Sequence, residues 1–179
     1  NGGRAYKMKI CFWGVRGSLP TPLTPQQVQS KIMAVIQRVS PEDLVSPEAR
    51  SKFIANLPSW IYGTTGGNTA CVEILHNDTH IILDAGTGLR VLGKNRKCPE
   101  KYHLFLSHFH WDHIQGFPFF DHAFNSTVKF EIYSHYPESK KYFWDQVIEP
   151  YSPPSVALAF TKNINFNLLE QNKEYNIEG

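Results

Sequence analysis

Apolar residues along the chain fall into short strand-like runs separated by segments with helical spacing. Runs rich in β-branched and aromatic residues, which are typical of strands, occupy residues 9–13, 69–75, 80–83, 102–106 and 129–134. Weak alternation over residues 164–177 predicts one or two further strands. Segments 24–39 and 137–148 instead repeat apolar residues at helical spacing, which predicts helices. Strands that alternate with helices indicate a layered domain of the α/β or α+β class.

Residues 21–60 interrupt the strand pattern with a predicted helical insert. Within it, Thr24, Ser40 and Ser46 are each followed by proline. A hydroxyl side chain caps free backbone N–H groups at a helix start, and proline fits the first helical position because its missing N–H needs no partner there. We therefore predict short helices inside a single domain spanning residues 1–179. The insert would serve as a structural cap or as a dimerisation surface.

The composition is that of an ordinary folded protein, with 41% hydrophobic and 19% charged residues. The formal net charge is only +2, and basic and acidic residues are interspersed, so the chain lacks the electrostatic signature of a nucleic-acid-binding protein. The cysteines Cys11, Cys71 and Cys98 are widely spaced, and their odd number argues against a disulfide framework. The sequence contains no apolar run of membrane-spanning length. These features predict a cytoplasmic protein with no membrane partner.

The strongest chemical signal is the stretch SHFHWDH at residues 107–113. A run of apolar strand residues leads directly into it, so it lies at the carboxyl end of a predicted strand, where ligands commonly collect in α/β sheets. His108 and His110 would project to one side of an extended chain. After a turn, Asp112 and His113 can return toward the same point. Imidazole and carboxylate ligands together favour Zn²⁺, Mn²⁺ or iron over calcium and magnesium, so the stretch predicts a metal site.

Residues 108–113 also match the HxHxDH signature of the metallo-β-lactamase-fold hydrolases, which the chain resembles. The resemblance extends to the segment ILDAGTG around Asp84 and to the loop GGNT at residues 66–69. Together with the glycine-rich stretch at residues 14–20 and a DHxxGxP pattern that begins at Asp112, these segments are similar to the branch containing ribonuclease Z and related phosphodiesterases. The implied fold is the αββα sandwich of that superfamily, which is built from two similar halves.

The resemblance also implies a role for each matching residue. His108 and His110 would bind a first divalent metal ion, and Asp112 and His113 a second. Asp84 would orient the ligands through hydrogen bonds, although its position after a strand also fits an ordinary helix N-cap. The two ions, with zinc preferred and manganese or iron as alternatives, would share a hydroxide that attacks the substrate. Asp112 would be the catalytic residue, positioning this hydroxide and accepting its proton.

The signature accounts for only part of such a site. Members of the superfamily complete it with a histidine, a bridging aspartate and a last histidine further along the chain. The later histidines in this sequence are His122 and His135, and neither has a matching context. We therefore expect the sequence to be the N-terminal portion of a longer enzyme that supplies the remaining ligands. The uncovered face of its sheet would favour association, for example as a homodimer.

Three functions remain open on this basis. The favoured one is a metal-dependent phosphodiesterase that acts on a cyclic nucleotide or another small phosphodiester, with RNA a weaker candidate because the charge is balanced. A second is a hydrolase of a carboxyl-type substrate, such as a thioester, lactone or lactam, because the same dinuclear centre serves those reactions. A third is a non-catalytic metal-binding sensor or interaction domain. Trp111 and the aromatic run at residues 117–120 could line a substrate pocket, although core packing is the favoured interpretation.

Overall fold

A computed structural model describes residues 8–160 and 163–178 of the chain, so residues 1–7 of the predicted domain lie outside the described part. The strands are β1 (Met8–Gly14), β2 (Cys71–His76), β3 (Thr79–Leu83), β4 (Lys101–Phe105), β5 (Lys129–Ser134) and β6 (Ile164–Leu168). The helices are α1 (Pro25–Ile36), α2 (Pro47–Ala55), α3 (Ser59–Tyr62), α4 (Gly88–Asn95), α5 (Trp111–Ile114), α6 (Ser139–Asp145) and α7 (Pro154–Phe160). Short 3₁₀ turns occur at Pro41–Leu44, Thr65–Gly67, Phe117–Phe119 and Asp121–Phe124.

The described strands form one mixed six-stranded sheet in the order β1-β2-β3-β4-β5-β6. The first three strands pair antiparallel, and the hairpin between β2 and β3 is the one that the sequence predicts. From β3 onward all neighbours are parallel, which requires crossover connections such as α4. The predicted mixture of strands and helices is therefore confirmed. Because β3 and β4 are parallel neighbours, the segments that follow them leave the sheet side by side.

Residues 24–62 contain the helices predicted for the insert. Thr24 begins α1 with a capping box, in which its Oγ1 accepts from the Gln27 N–H and the Gln27 side chain accepts from the Thr24 N–H. Ser46 caps α2 by accepting from the Ala49 N–H. The N-cap and proline pattern thus marked both helix starts correctly. None of the described helices is both long and apolar enough to cross a bilayer.

The hydrophobic core lies between one face of the sheet and the helices α4 and α6. It also includes the residues that follow α5. Apolar side chains from these elements are almost completely buried, among them Ile82, Leu89, Leu92, Leu104, Phe117, Phe120, Ile132 and Phe143. Burying each such side chain stabilises the fold by about 1.5–3 kcal/mol. At the centre, the hydroxyl of Tyr102 lies 2.7 Å from Nδ1 of His122, so the polar end of a buried aromatic ring has a partner.

The opposite face of the sheet is only partly covered, with His103 of β4 buried there beside Glu178. Ile10 and Phe12 of β1 and Leu83 of β3 are among its exposed apolar side chains. On a sheet whose other face is fully packed, such residues mark a surface suited to further packing.

The carboxyl-terminal third departs in detail from the sequence prediction. The helix predicted over residues 137–148 is the shorter α6. The sequence pattern does not predict α7, because prolines at positions 150, 153 and 154 are typical of a segment that breaks a helix. Pro154 instead occupies the first position of α7, where a proline is well tolerated. The weak alternation at 164–177 corresponds to β6, and no second strand follows it among the described residues up to 178.

Candidate metal centre

The predicted ligands lie where the parallel strands β3 and β4 end. Leu83 pairs with Phe105 at the end of the ladder, and the N–H of Asp84 donates to the Phe105 carbonyl over 2.9 Å. Asp84 has a φ of 61°, in the left-handed region that aspartate tolerates better than most residues. This conformation turns the chain out of the sheet directly beside the start of SHFHWDH, at Ser107.

A single helical turn then folds the second half of the motif back on the first. His110 is extended and precedes α5, and its carbonyl accepts from the N–H of His113 over 2.9 Å. The ring centroid of His108 consequently lies 4.5 Å from that of His110 and 4.0 Å from that of His113. The turn predicted between the two halves of the motif is therefore present, and the three imidazoles are neighbours.

Asp84 accepts the hydrogen bonds that orient these imidazoles. Its Oδ2 lies 2.8 Å from Nδ1 of His113, and its Oδ1 accepts from the N–H of Ser107 over 2.9 Å. The Ser107 hydroxyl lies 2.9 Å from both carboxylate oxygens and 2.9 Å from Nδ1 of His108. The alternative that Asp84 caps α4 is wrong, because α4 begins after Thr87.

These contacts specify which nitrogen of each ring carries the proton. A carboxylate only accepts hydrogen bonds, so the Ser107 hydroxyl and Nδ1–H of His113 must donate to Asp84. The Ser107 oxygen then accepts from Nδ1–H of His108. Both rings are thereby held in the tautomer whose Nε2 keeps a free lone pair, which is the form that binds metal.

Asp112 and His113 have the spacing of two ligands of one ion. Oδ2 of Asp112 lies 3.3 Å from Nε2 of His113. Two atoms bonded to a tetrahedral ion at ~2.1 Å are roughly 3.4 Å apart, so this pair needs little rearrangement to bind. The backbone N–H of Ser18 donates to the same carboxylate oxygen over 2.8 Å and fixes its orientation.

The complete set does not close around a single point. Within residues 8–160 and 163–178, no group of three or more histidine, cysteine, aspartate or glutamate side chains is arranged to hold a metal ion. A structural zinc site uses four protein ligands, whereas a catalytic site leaves positions open. Among the predicted ligands, the Asp112–His113 pair is the one whose donor atoms have the spacing that a shared ion requires.

The local electrostatics favour the protonation states that metal binding needs. Burial, together with the neighbouring His113 and His110, lowers the pKa of His108, so this ring is neutral near pH 7. Burial alone would raise the pKa of Asp112. The Ser18 N–H and the adjacent His113 and His108 outweigh that effect and lower it, so Asp112 is ionised. Metal ligands must be neutral imidazoles and carboxylates, and both groups meet that condition.

Glycines allow the loops of the site to approach each other closely. The N–H of Gly116 donates to the Ala85 carbonyl over 2.8 Å, and the Ala85 N–H donates to the backbone carbonyl of His113 over 2.7 Å. A β-carbon on Gly116 would overlap the carbonyl group of Gly86. A β-carbon on Gly86 would likewise overlap the Asp112 carbonyl, so Gly86 and Gly116 are both needed to dock α5 against the end of β3.

Sequence reasoning missed two participants, Ser107 and Ser18. Ser107 is the first residue of SHFHWDH, and a hydroxyl directly before the first histidine at a strand end is a sequence feature that indicates a hydrogen-bonding role. Ser18 lies 94 positions from Asp112, so nothing in the local pattern indicated their contact. His122 is buried against Tyr102, and His135 is exposed with its ring against Tyr136, so neither joins the cluster.

The preferred interpretation of the aromatic residues as core was correct for only some of them. Phe117 and Phe120 are buried, but Trp111 and Phe119 are 74% and 65% exposed. The exposed pair lines a cavity beside α5.

Comparisons of the chain with protein-family models, curated proteins and solved structures gave no match.

Proposed function

We propose that this chain carries the first metal-ligand cluster of a metal-dependent hydrolase with the metallo-β-lactamase fold, and that the enzyme is a phosphodiesterase. The observation that carries the proposal is the convergence of three imidazoles and Asp112 at the end of β4. Asp84 supports it by orienting His113 directly and His108 through Ser107.

The architecture supports the same assignment. One half of an αββα sandwich is a sheet with helices on its outer face and a bare inner face that packs on the second sheet. Here α4 and α6 cover one face, while Ile10, Phe12 and Leu83 leave apolar surface on the other. This surface would receive the second half of the sandwich, or a second copy of the chain.

Each residue of the cluster has a defined task in the proposed reaction. His108 and His110 would hold one ion, and Asp112 and His113 the other, with zinc preferred and manganese or iron as alternatives. Bound there, the ions would supply Lewis acidity to the substrate and lower the pKa of water. The lowered pKa of Asp112 keeps its carboxylate ionised near pH 7, as a metal ligand must be. In the proposed reaction this carboxylate would also orient a water molecule and accept its proton.

A phosphodiester is favoured over a carboxyl-type substrate by the loop that contacts Asp112. Arg16 lies two positions before Ser18 on this loop, and its exposed guanidinium is fixed by a hydrogen bond from Nε to the Gly66 carbonyl over 2.9 Å. A cation on the loop that contacts Asp112 suits an anionic substrate, whereas a thioester or lactone group carries no such charge.

Elemental analysis combined with two hydrolysis assays tests the proposal. Zinc and manganese binding and hydrolysis of bis(p-nitrophenyl) phosphate and of a thioester would be measured for this chain and for a longer version of the encoded protein. His110→Ala should lose metal and activity, and His135→Ala, an equally simple change outside the cluster, should lose neither. A protein that binds no metal would contradict the proposal. Thioester hydrolysis alone would assign the carboxyl-type function, and metal binding without any hydrolysis would assign the sensor function.

A further inference from the structure

We infer that the cavity beside α5 is a binding site for a nucleobase, so that the substrate is a nucleotide rather than a simple diester. The assignment of a substrate rests on the proposed function, but the case for the cavity rests on its own walls. It has a volume of about 660 Å³ and lies between the region of α5 on one side and α6 with the segment that follows it on the other. This volume is within the range of small-molecule sites in proteins.

Five of the eleven residues that line the cavity are aromatic. Trp111, Phe119 and Tyr151 line it while remaining 74%, 65% and 75% exposed, so their rings are not packed within the described part of the chain. Deeper in the wall, the rings of Phe109 and Tyr142 meet edge to face, with centroids 5.5 Å apart. Exposed rings beside a rigid aromatic pair provide the flat surfaces on which a planar ligand stacks.

Amide groups provide the hydrogen bonds that would recognise the edge of such a ring. Nε2 of Gln115 is shielded from solvent and has no hydrogen-bond partner among the described residues. Gln146 donates from Nε2 to the Phe143 carbonyl over 3.0 Å, and no hydrogen bond to its Oε1 is found within residues 8–160 and 163–178. Gln115 and Gln146 both line the cavity, and their amides could together match the donor and acceptor pattern of a base edge if the Gln115 amide rotated to turn its shielded Nε2 toward the cavity.

The charge of the wall favours the base over the phosphate. The lining contains no lysine or arginine, and its one carboxylate, Asp145, is paired with Lys141 at 2.6 Å. Lys141, which also lies over the ring of Tyr142, is the cation beside this lining, and its charge is already compensated by Asp145. A phosphate would therefore gain little charge pairing in this cavity, whereas a neutral planar ring would lose little solvation on entering it. The ligand that fits is therefore the uncharged part of a nucleotide.

Helix α5 connects the cavity to the metal cluster, because Trp111 lines the cavity and the next two residues, Asp112 and His113, belong to the cluster. Trp111 is adjacent to Asp112 on the same turn of helix, where successive side chains project about 100° apart. Trp111 and Gln115 thus line the cavity, while Asp112 and His113 face the imidazoles. A nucleotide with its base against Trp111 would extend its phosphate around the start of α5 toward the cluster.

Binding of adenosine to chelator-treated protein tests the inference without any metal or reaction. Equilibrium dialysis should show saturable binding of adenosine, and Trp111→Ala should weaken it by roughly tenfold or more, as expected for the loss of one stacking surface. Gln115→Leu should weaken it several-fold. The matched control is Trp60→Ala, which removes a tryptophan of similar exposure, 59%, outside the cavity.

The outcomes separate this inference from the proposed function. Adenosine binding that is lost in Trp111→Ala supports the nucleobase site even if the protein binds no metal and hydrolyses no diester, in which case only the proposed function fails. Absence of saturable binding, or equal binding by the Trp111 and Trp60 variants, overturns the nucleobase site. Self-association abolished by Trp111→Ala, without adenosine binding, would assign the cavity to a second copy and also overturn it. Circular dichroism of each variant verifies folding, and Tyr151→Ala provides a second test on the same wall.

Discussion

Replacing Asp84 with asparagine should impair metal binding while leaving the fold intact. The asparagine has the same shape and tolerates the left-handed φ of 61°. Its amide oxygen can still accept from the N–H of Ser107, as Oδ1 of Asp84 does over 2.9 Å. The amide nitrogen, however, would face Nδ1 of His113, where the carboxylate now accepts a hydrogen bond over 2.8 Å.

The size of the effect follows from this one reversed hydrogen bond. An amide donor at Nδ1 favours the tautomer of His113 that carries its proton on Nε2. This nitrogen lies 3.3 Å from Oδ2 of Asp112 and is the one that would bind the ion, so the proton would block binding. Loss of an orienting partner typically costs 10–100-fold in metal affinity. At about 1.4 kcal/mol for each factor of ten, the variant should bind zinc roughly 1.4–2.8 kcal/mol more weakly.

Competition with a zinc-sensitive dye measures this difference directly. Asp78→Asn is a matched control, because Asp78 is an exposed aspartate in the turn between β2 and β3. Thermal melting of the metal-free proteins should give similar midpoints for wild type and both variants. If Asp84→Asn bound zinc as tightly as the wild type, the orienting role of Asp84 would be refuted, and with it the tautomer assignment of His113.

Three further substitutions test the packing that supports the site. Glu73→Gln should lower the unfolding free energy by roughly 3 kcal/mol at neutral pH, because Glu73 is fully buried among three donors. Burial raises the pKa of Glu73, but those donors lower it below its ordinary 4.5. The extra unfolding free energy of the wild type over Glu73→Gln should therefore be complete above about pH 4.5 and disappear as the pH falls through the folded-state pKa. If urea melts at pH 3 gave the same difference in unfolding free energy as at neutral pH, this reasoning would be contradicted. Gly116→Ala should weaken both stability and metal binding, because its new methyl group would overlap the Gly86 carbonyl; wild-type zinc affinity and melting temperature would refute the close docking. Tyr102→Phe should cost about 1–3 kcal/mol by leaving the buried His122 without its partner at 2.7 Å, and a neutral effect in urea melts would show that the hydrogen bond contributes little.

Local patterns predicted most of the sheet and the position of the cluster. The strand run before SHFHWDH placed the motif correctly at the end of β4, and alternation of apolar residues identified β5 as residues 129–134. These features depend on neighbouring residues and on side-chain type, which a sequence displays directly. The same is true of the capping serine and threonine at the helix starts of the insert.

Contacts between distant segments could not be obtained in this way. The approach of Ser18 to Asp112 depends on how β1 is seated against the rest of the sheet, and the exposure of Trp111 depends on which face α5 presents to the core. An aromatic residue within an apolar stretch has the same pattern whether it packs inward or lines a cavity. Tertiary docking, rather than local propensity, decides between these outcomes.

The docking of β3 against β4 explains why the cluster can exist before any metal is bound. Parallel pairing fixes Asp84 beside Ser107, and the hydrogen bonds of Asp84 then fix two imidazoles, so the orientation of the ligands is determined by backbone that the core already holds in place. His108 and His113 are themselves only partly buried and contribute little to that core. Stability and ligand orientation are therefore supplied by different residues. The sheet stabilises the fold, and Asp84, which is held at the end of the sheet, orients the ligands. Changes within the cluster should consequently alter metal affinity with little change in folding, whereas changes at Gly116, where α5 docks on the sheet, should affect both.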